Sequence, residues 1–268
     1  MEQRKEIERE FHDILRSDAF GQRWSPELET LIQADPLWSN MKYYAIERRS
    51  RKVVLDWFSR NCKGKRVLDY CCGNGDDTFI IARNGADEVI GIDLSERSIE
   101  NCRDRAIAEG LEKTTSFLVM DAEALEFEND YFDIITEYGA LHHLNLVKAY
   151  SEIARVLKPD GSCICTEALG HNLLINHYRK NTPHLRTEWE AEHILRKKDV
   201  ELAGAYFDKV DIAGFFHLAT LLGVPFRKRQ GFPALLSILE IIDLIMLKLP
   251  LLKWQAWQII FILSGSKL

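Results

Sequence analysis

Val67-Leu68-Asp69-Tyr70-Cys71-Cys72-Gly73-Asn74-Gly75-Asp76-Asp77-Thr78 reads as a strand, a glycine turn and a helix start. In an open α/β sheet such a turn lies at the carboxyl end of its strand, where ligands bind. Gly73-x-Gly75 alone is a weak signal. A dinucleotide fingerprint also needs a third glycine for close helix packing and a turn that accepts pyrophosphate. Thr78 stands in that third place, and Asp69, Asp76 and Asp77 crowd the spot where two phosphates would lie. Like charges at such range repel, so the turn suits a cation, or at least a ligand without phosphate.

On either side of this segment the sequence keeps one rhythm. Further short apolar runs follow at Glu88–Asp93, Ser116–Asp121, Phe132–Glu137 and Ser162–Glu167, separated by stretches of helical spacing. Strands alternating with helices predict a parallel sheet covered on both faces. Asp69, Asp93, Asp121, Glu137 and Glu167 end these runs and are expected to share one rim. Helix capping would explain one or two of them, but five in register point to a ligand site.

The flanks complete the plan. Positions 1–52 form an N-terminal helical segment, a lid or cap, with apolar residues at helical spacing such as Ile7, Phe11, Ile14 and Leu15. Residues 53–268 form the main domain, with a substrate-wall insertion at about 168–200 and a helical insertion at about 226–252. A run near Tyr206–His217 and another at Ala256–Leu263 read as strands six and seven. The last strand is expected to be antiparallel and to make the edge of an otherwise parallel sheet.

S-adenosylmethionine meets the turn's requirement, with an adenosine, an ammonium, a sulfonium and no phosphate. Val67–Gly75 resembles the first motif of the class I S-adenosylmethionine-dependent methyltransferases of small-molecule type, and Asp93 after Val89-Ile90-Gly91-Ile92 resembles their ribose-binding acid. A carboxylate accepts from both ribose hydroxyls, which gives that position a mechanism. Asp121-Ala122 is similar to the family's adenine-contacting pair. Phe132–Ile135 with Leu141-His142-His143-Leu144, then Ala154–Gly161, resemble its fourth and fifth elements. The likeness runs from Val53 to about Glu167 and implies a seven-stranded Rossmann-like sheet. It implies a cofactor site of Asp69, Cys71, Gly73, Gly75, Asp93, Leu94, Asp121, Ala122 and Glu137. One departure is Cys71, where the family's Asp-x-Gly-x-Gly-x-Gly has its first glycine; a small side chain should still admit the methionine arm.

Methyl transfer depends on holding a nucleophile in line with the sulfonium methyl, and a hydroxyl nucleophile profits from a general base. His142 and His143 follow the fourth strand and are the candidates for that role, or else they only shape the site. After the fifth strand His171, Tyr178 and Arg179 are expected to face a small-molecule acceptor, oxygen slightly favoured over nitrogen or carbon. Replacement of the amino-DNA methyltransferase motif by Thr136-Glu137-Tyr138-Gly139 argues against nucleic acid, as does the net charge of −6. The apolar stretch Phe232–Leu252 suggests a lipophilic acceptor. Glu240, Asp243 and Lys248 interrupt its core, so it reads as a packed helix rather than a membrane contact, and no integral membrane segment is expected.

With 46% hydrophobic and 28% charged residues in 268, the chain is an ordinary globule. Six cysteines without zinc spacing read as small apolar fillers, and no metal site is expected. Cytoplasmic location follows from cysteine usage and an N-terminus unlike a signal peptide; the final Ser266-Lys267-Leu268 leaves a peroxisomal address as a minority alternative. A nicotinamide-dependent oxidoreductase on the same sheet, a non-catalytic adaptor, and a homo-oligomer through the N-terminal helices remain open.

Overall fold

In the computed structural model, which describes residues 2–15 and 26–268, the apolar runs pair into one sheet. Its strands are β1 (Arg66–Tyr70), β2 (Glu88–Asp93), β3 (Thr115–Val119), β4 (Phe132–Tyr138), β5 (Leu157–Ala168), β6 (Phe207–Phe216) and β7 (Gln258–Ser266), in the order β3-β2-β1-β4-β5-β7-β6. The helices in chain order are α1 (Gln3–Leu15), α2 (Pro26–Ala34), α3 (Arg48–Asn61), α4 (Asp76–Arg83), α5 (Glu96–Glu109), α6 (Leu146–Val156), α7 (Leu173–Asn181), α8 (Glu188–His193), α9 (Lys197–Leu202) and α10 (Phe232–Met246).

Strand residues alternate between two cores, as a period of two requires. Leu68, Ile90, Ile135, Cys163 and Cys165 face one side and pack on Ala149, Tyr150 and Ile153 of α6. Val67, Val89, Ile134, Ile164 and Ile260 face the other, against Val54 and Phe58 of α3 and Ile81 of α4. Each crossover helix starts where a side chain satisfies its free amides: Ser95 caps α5, Asn145 caps α6 and Asn172 caps α7. All six cysteines are free; Cys62, Cys102, Cys163 and Cys165 are buried, whereas Cys71 and Cys72 at the turn are partly exposed.

The antiparallel strand is β7, as expected, but it does not form the edge. It is inserted between β5 and β6, antiparallel to both, and β6 takes the outer position. Burial decides the order. Ile259, Ile260, Phe261 and Leu263 are fully buried, as an inner strand demands, whereas β6 carries Asp208, Lys209 and Asp211, charges that an edge strand can keep in water.

Only part of the acidic row stands on the rim. Asp69 ends near the glycine turn, Asp93 closes β2, and Asp121 lies two residues beyond β3. Glu137 and Glu167 are fully buried and turned into the protein.

The turn itself depends on left-handed backbone at three places, Cys71, Gly73 (φ +51°) and Gly75. Cys71 holds φ +59°, so the thiol occupies a conformation that suits glycine, and Gly75 holds φ +75° at the head of α4. A Cβ on Gly75 would stand 2.9 Å from Phe79 Cε2 and 3.0 Å from Cys102 Sγ. Gly75→Ala therefore combines backbone strain with overpacking and should cost about 2–4 kcal/mol. Denaturant unfolding would register this as a lower midpoint; an unchanged midpoint would show that the turn relaxes freely.

Candidate active site

The crevice begins with hydrogen bonds that bring the first turn to the second strand. Asp93 Oδ2 accepts from the Gly73 amide at 2.9 Å and its Oδ1 from the Ser95 amide at 2.9 Å. Asp69 Oδ2 accepts from the Thr78 amide at 2.9 Å and the Thr78 hydroxyl at 2.5 Å, so Thr78 ties the helix start to the strand end. Burial, then the neighbouring Asp77, push the Asp69 carboxyl up to about 7.

Two cavities open around this turn. One is lined by Cys71, Asp93, Leu94, Met120, Asp121, Ala122 and Leu144 on the sheet side and by Arg4, Lys5, Glu8, Arg9 and His12 of α1 opposite them. The other is lined by Cys71, Cys72, Asp69, Asp76, Asp77 and Glu47, with Arg48 and Arg51 as the cations among them. Arg51 pairs with Asp77. The Glu47 carboxyl is pushed up to about 7 by burial, against hydrogen bonds donated by Tyr138 Oη and Gln258 Nε2.

Helix α1 lies over the first of these cavities. Arg4 donates to Glu123 and, at 2.7 Å, to the His143 carbonyl; Lys5 Nζ reaches Asp121 Oδ2 at 2.6 Å. The Asp121 carboxylate, expected to serve the adenine amine, is thus shared with Lys5 and with the Glu123 amide at 2.9 Å. Further along α1, Glu8 accepts from Thr187 and pairs with His143 Nδ1 at 2.9 Å, and Asp13 accepts from Ser95 Oγ at 2.6 Å. Among the described residues Glu8, His12 and His143 form a group whose ligand atoms lie within 4.8 Å of one another, the spacing a metal ion would need. The Glu8–His143 hydrogen bond, however, joins two of the atoms that would face the ion, and the geometry is that of a clamp.

That clamp titrates. Burial opposes a charge on His143, but the hydrogen bond to Glu8 and the fields of Glu190 and Glu8 outweigh it, and its pKa is raised above the ordinary 6.5. Burial also opposes the Glu8 carboxylate, yet His143 and Thr187 hold its pKa below 4.5. A raised histidine stabilises fully below its unfolded value and loses this as pH rises through its folded one. A lowered carboxyl stabilises above its unfolded value and loses this as pH falls through its folded one. Hydrogen-exchange protection of α1 is expected to peak between pH 4.5 and 6.5 and to decline in alkali. Equal protection factors at about pH 5.5 and about pH 9 would show that the clamp carries no weight.

A third cavity is lined by Tyr43, Tyr44, His142, His143, Ile175, Tyr178, Arg179, Arg186 and Trp257. It meets the cavity under α1 at His12, Tyr138, Gly139 and His143. Tyr138 lines all three cavities. Glu137, expected beside the cofactor, lines none of them. Its Oε1 accepts from the Ala140 amide at 2.5 Å and the Leu141 amide at 3.3 Å. The reason is strand periodicity: one position along β4 reverses the face, so Tyr138 takes the crevice and Glu137 the interior.

Glu137 and Glu167 nevertheless organise the site from within. Burial and the adjacent Glu167 push the Glu137 carboxyl well above its usual range. Burial opposes ionisation of Glu167 too, but His142 holds its carboxyl below the ordinary value. Glu167 Oε2 sits 2.7 Å from His142 Nδ1 and Oε1 accepts from the Leu141 amide at 2.6 Å. With Nδ1 donating to this carboxylate, a neutral His142 presents Nε2 as its acceptor.

The residues expected after the fifth strand divide. Tyr178 and Arg179 line the third cavity, where burial lowers the Arg179 pKa to about 10. His171 does not. Its Nε2 accepts from the Lys197 amide at 3.1 Å and its ring meets Trp254 edge-on, outside the crevice. Tyr138, Trp257 and the α1 residues carry no motif; the aromatic content of Leu37–Tyr44 was a local signal for Tyr43 alone.

Residues 67–161 match a family model described as a methyltransferase domain. Over these residues the chain resembles the class I S-adenosylmethionine-dependent methyltransferases. Demethylmenaquinone methyltransferase of Lactococcus lactis is 38% identical over 107 residues, covering 39% of this chain and 42% of that one. The Staphylococcus aureus protein of the same name is 39% identical over 125 residues, 44% of this chain and 48% of its own. The chain thus spans less than half the length of these curated relatives. A solved geranyl diphosphate methyltransferase shares the fold at a TM-score of 0.57, with 13% identity over 85% of this chain and 90% of that one. That likeness shows a shared fold.

Proposed function

We propose that the protein binds S-adenosylmethionine along the rim of β1 and β2 and transfers its methyl group to a small lipophilic acceptor in the aromatic cavity. The observation that supports this reading is the junction of the two cavities at Tyr138 and Gly139. Gly139 holds φ +65°, and the nearest atom to an added Cβ is His142 Cε1 at 4.0 Å, so no side chain fills the junction at that position. The donor set fits the cofactor. Asp93, beside Leu94, Met120 and Ala122, suits a ribose next to a flat base; Asp69, Asp76 and Asp77 offer an ammonium its acceptors, with Asp76 shared with Arg105 and Asp77 with Arg51. When bound, the cofactor supplies an electrophilic methyl on a sulfonium.

The chain's own residues then position and protect. Helix α1, held by Glu8, Lys5 and Arg4, acts as a lid that excludes water from the cofactor end, in keeping with a capping role for residues 1–52. Tyr43, Tyr178 and Trp257 offer apolar faces to the acceptor and Arg179 a buried cation. His142 Nε2, oriented through Nδ1 by Glu167, takes the proton from an acceptor hydroxyl, which favours oxygen as the methylated atom. The curated relatives are named for demethylmenaquinone, an acceptor name in keeping with a lipophilic substrate.

Calorimetry separates this reading from its rivals. S-adenosylmethionine and S-adenosylhomocysteine are expected to bind and NADH is not. Binding of NADH in the absence of any S-adenosylmethionine binding would overturn the assignment in favour of an oxidoreductase.

A further inference from the structure

Helix α10 is amphipathic in the reverse sense. Glu240 and Asp243, the only acids after Asp211, are buried, while the outward stripe is Ile238, Ile241, Ile245 and Leu249. Ile238, Ile241 and Ile245 recur at three and four residues and so share one helix face, and Leu249 follows just past the helix end. The isoleucines are 58%, 59% and 66% exposed, and Leu251 beyond the helix is 89% exposed. The inward acids are fully engaged. Glu240 pairs with Arg48, and Asp243 accepts from the amides of Leu218, Ala219 and Thr220 and from the Thr220 hydroxyl at 2.8 Å. The two acids that interrupt this apolar run in sequence therefore do not interrupt its surface.

We infer that the outward face of α10, with Leu249 and Leu251, docks on an anionic lipid surface. Charge selects this occupant over a second copy of the chain. Residues 212–268 hold six Lys and Arg against two acids, both buried, whereas the remainder holds 29 against 39. The apolar stripe is thus bordered by cations, with Arg229 before the helix and Lys248 at its end, both exposed, while Lys228 is paired with Glu29 at 3.0 Å. Two such faces brought together would oppose like charges, whereas an anionic leaflet attracts them while the isoleucines enter the headgroup boundary. No helix among the described residues is long and apolar enough to cross a membrane, so the mode is peripheral.

The inner side of α10 gives the docking a purpose. Phe232 and Leu236 pack in one cluster with Ile175, Tyr43 and Trp257, which line the acceptor cavity. Leu173 and Leu174, at the start of α7, are also exposed, and Asn172 at that helix cap donates to the Gln255 carbonyl at 2.5 Å, close in chain to Leu251. The lipid surface would then be the source of the acceptor, a step that rests on the function proposed above; the docking itself does not.

Vesicle flotation of the full chain tests it. The protein should float with vesicles of phosphatidylcholine and phosphatidylglycerol, float poorly with phosphatidylcholine alone, and lose binding as salt rises. The double variant Ile241→Asp, Ile245→Asp should lower vesicle binding at least ~10-fold, and Lys248→Glu should lower it less. Both should keep the wild-type circular dichroism and S-adenosylmethionine affinity, since the altered side chains face solvent. Absence of flotation with anionic vesicles overturns the inference, as does a wild-type dimer that the isoleucine variant turns into monomer without any vesicle binding. Flotation by a protein that ignores S-adenosylmethionine would leave the docking standing and remove the methyltransferase reading instead.

Discussion

Asp93→Ala is expected to weaken S-adenosylmethionine binding on the order of a hundredfold to ten-thousandfold. A carboxylate that accepts from two ribose hydroxyls makes two charge-assisted hydrogen bonds, each worth about 1.5–3 kcal/mol when removed, and every ~1.4 kcal/mol is a factor of ten. The same substitution deprives the Gly73 and Ser95 amides of their acceptor, so the glycine turn also loosens against β2. Asp93→Asn should fall between wild type and alanine, since an amide oxygen can still accept but carries no charge. Calorimetry reads both. An alanine variant with wild-type affinity would show that the ribose lies elsewhere.

The second large effect concerns His142. Its replacement by alanine should reduce kcat by about 10²–10⁴, the usual contribution of a positioned general base, with little change in cofactor affinity. His143→Ala should do the reverse. It breaks the Glu8 clamp over α1 and therefore weakens cofactor retention more than turnover at saturation. Added imidazole should partly restore the His142→Ala variant and not the His143→Ala variant, because only the former lacks a proton acceptor at the acceptor cavity. Wild-type kcat in His142→Ala would mean that alignment alone drives the reaction and that the ring merely shapes the wall.

The contrast between these neighbours was invisible in Leu141-His142-His143-Leu144, where both histidines look alike. Their difference arises from partners 25 and 135 residues away, Glu167 for one and Glu8 for the other. Glu137 shows the same limit on a smaller scale. Its place at the end of an acidic series was clear, but the face it takes depends on the pleat and on which neighbouring amides need an acceptor. The order of the last two strands could have been inferred, because Asp208, Lys209 and Asp211 mark an edge while the unbroken Ile259–Leu263 run marks an interior. His171 was grouped with Tyr178 and Arg179 by proximity in chain; α7 carries only the latter two to the cavity.

Local chemistry alone was enough for the strand rhythm, the glycine turn, and the meeting of Asp69, Asp93, Asp121 and Ala122 at one rim, since period, turn residues and parallel crossovers operate between near neighbours in chain. Long-range packing had to decide the rest: that α1 closes over the cavity beside Asp93 and Asp121, that Tyr138 joins three cavities, and that α10 turns its acids inward and its isoleucines out. Those outcomes depend on buried charges finding partners, because a carboxylate taken from water must be hydrogen-bonded or protonated, and which partner is available is known only once distant segments have met.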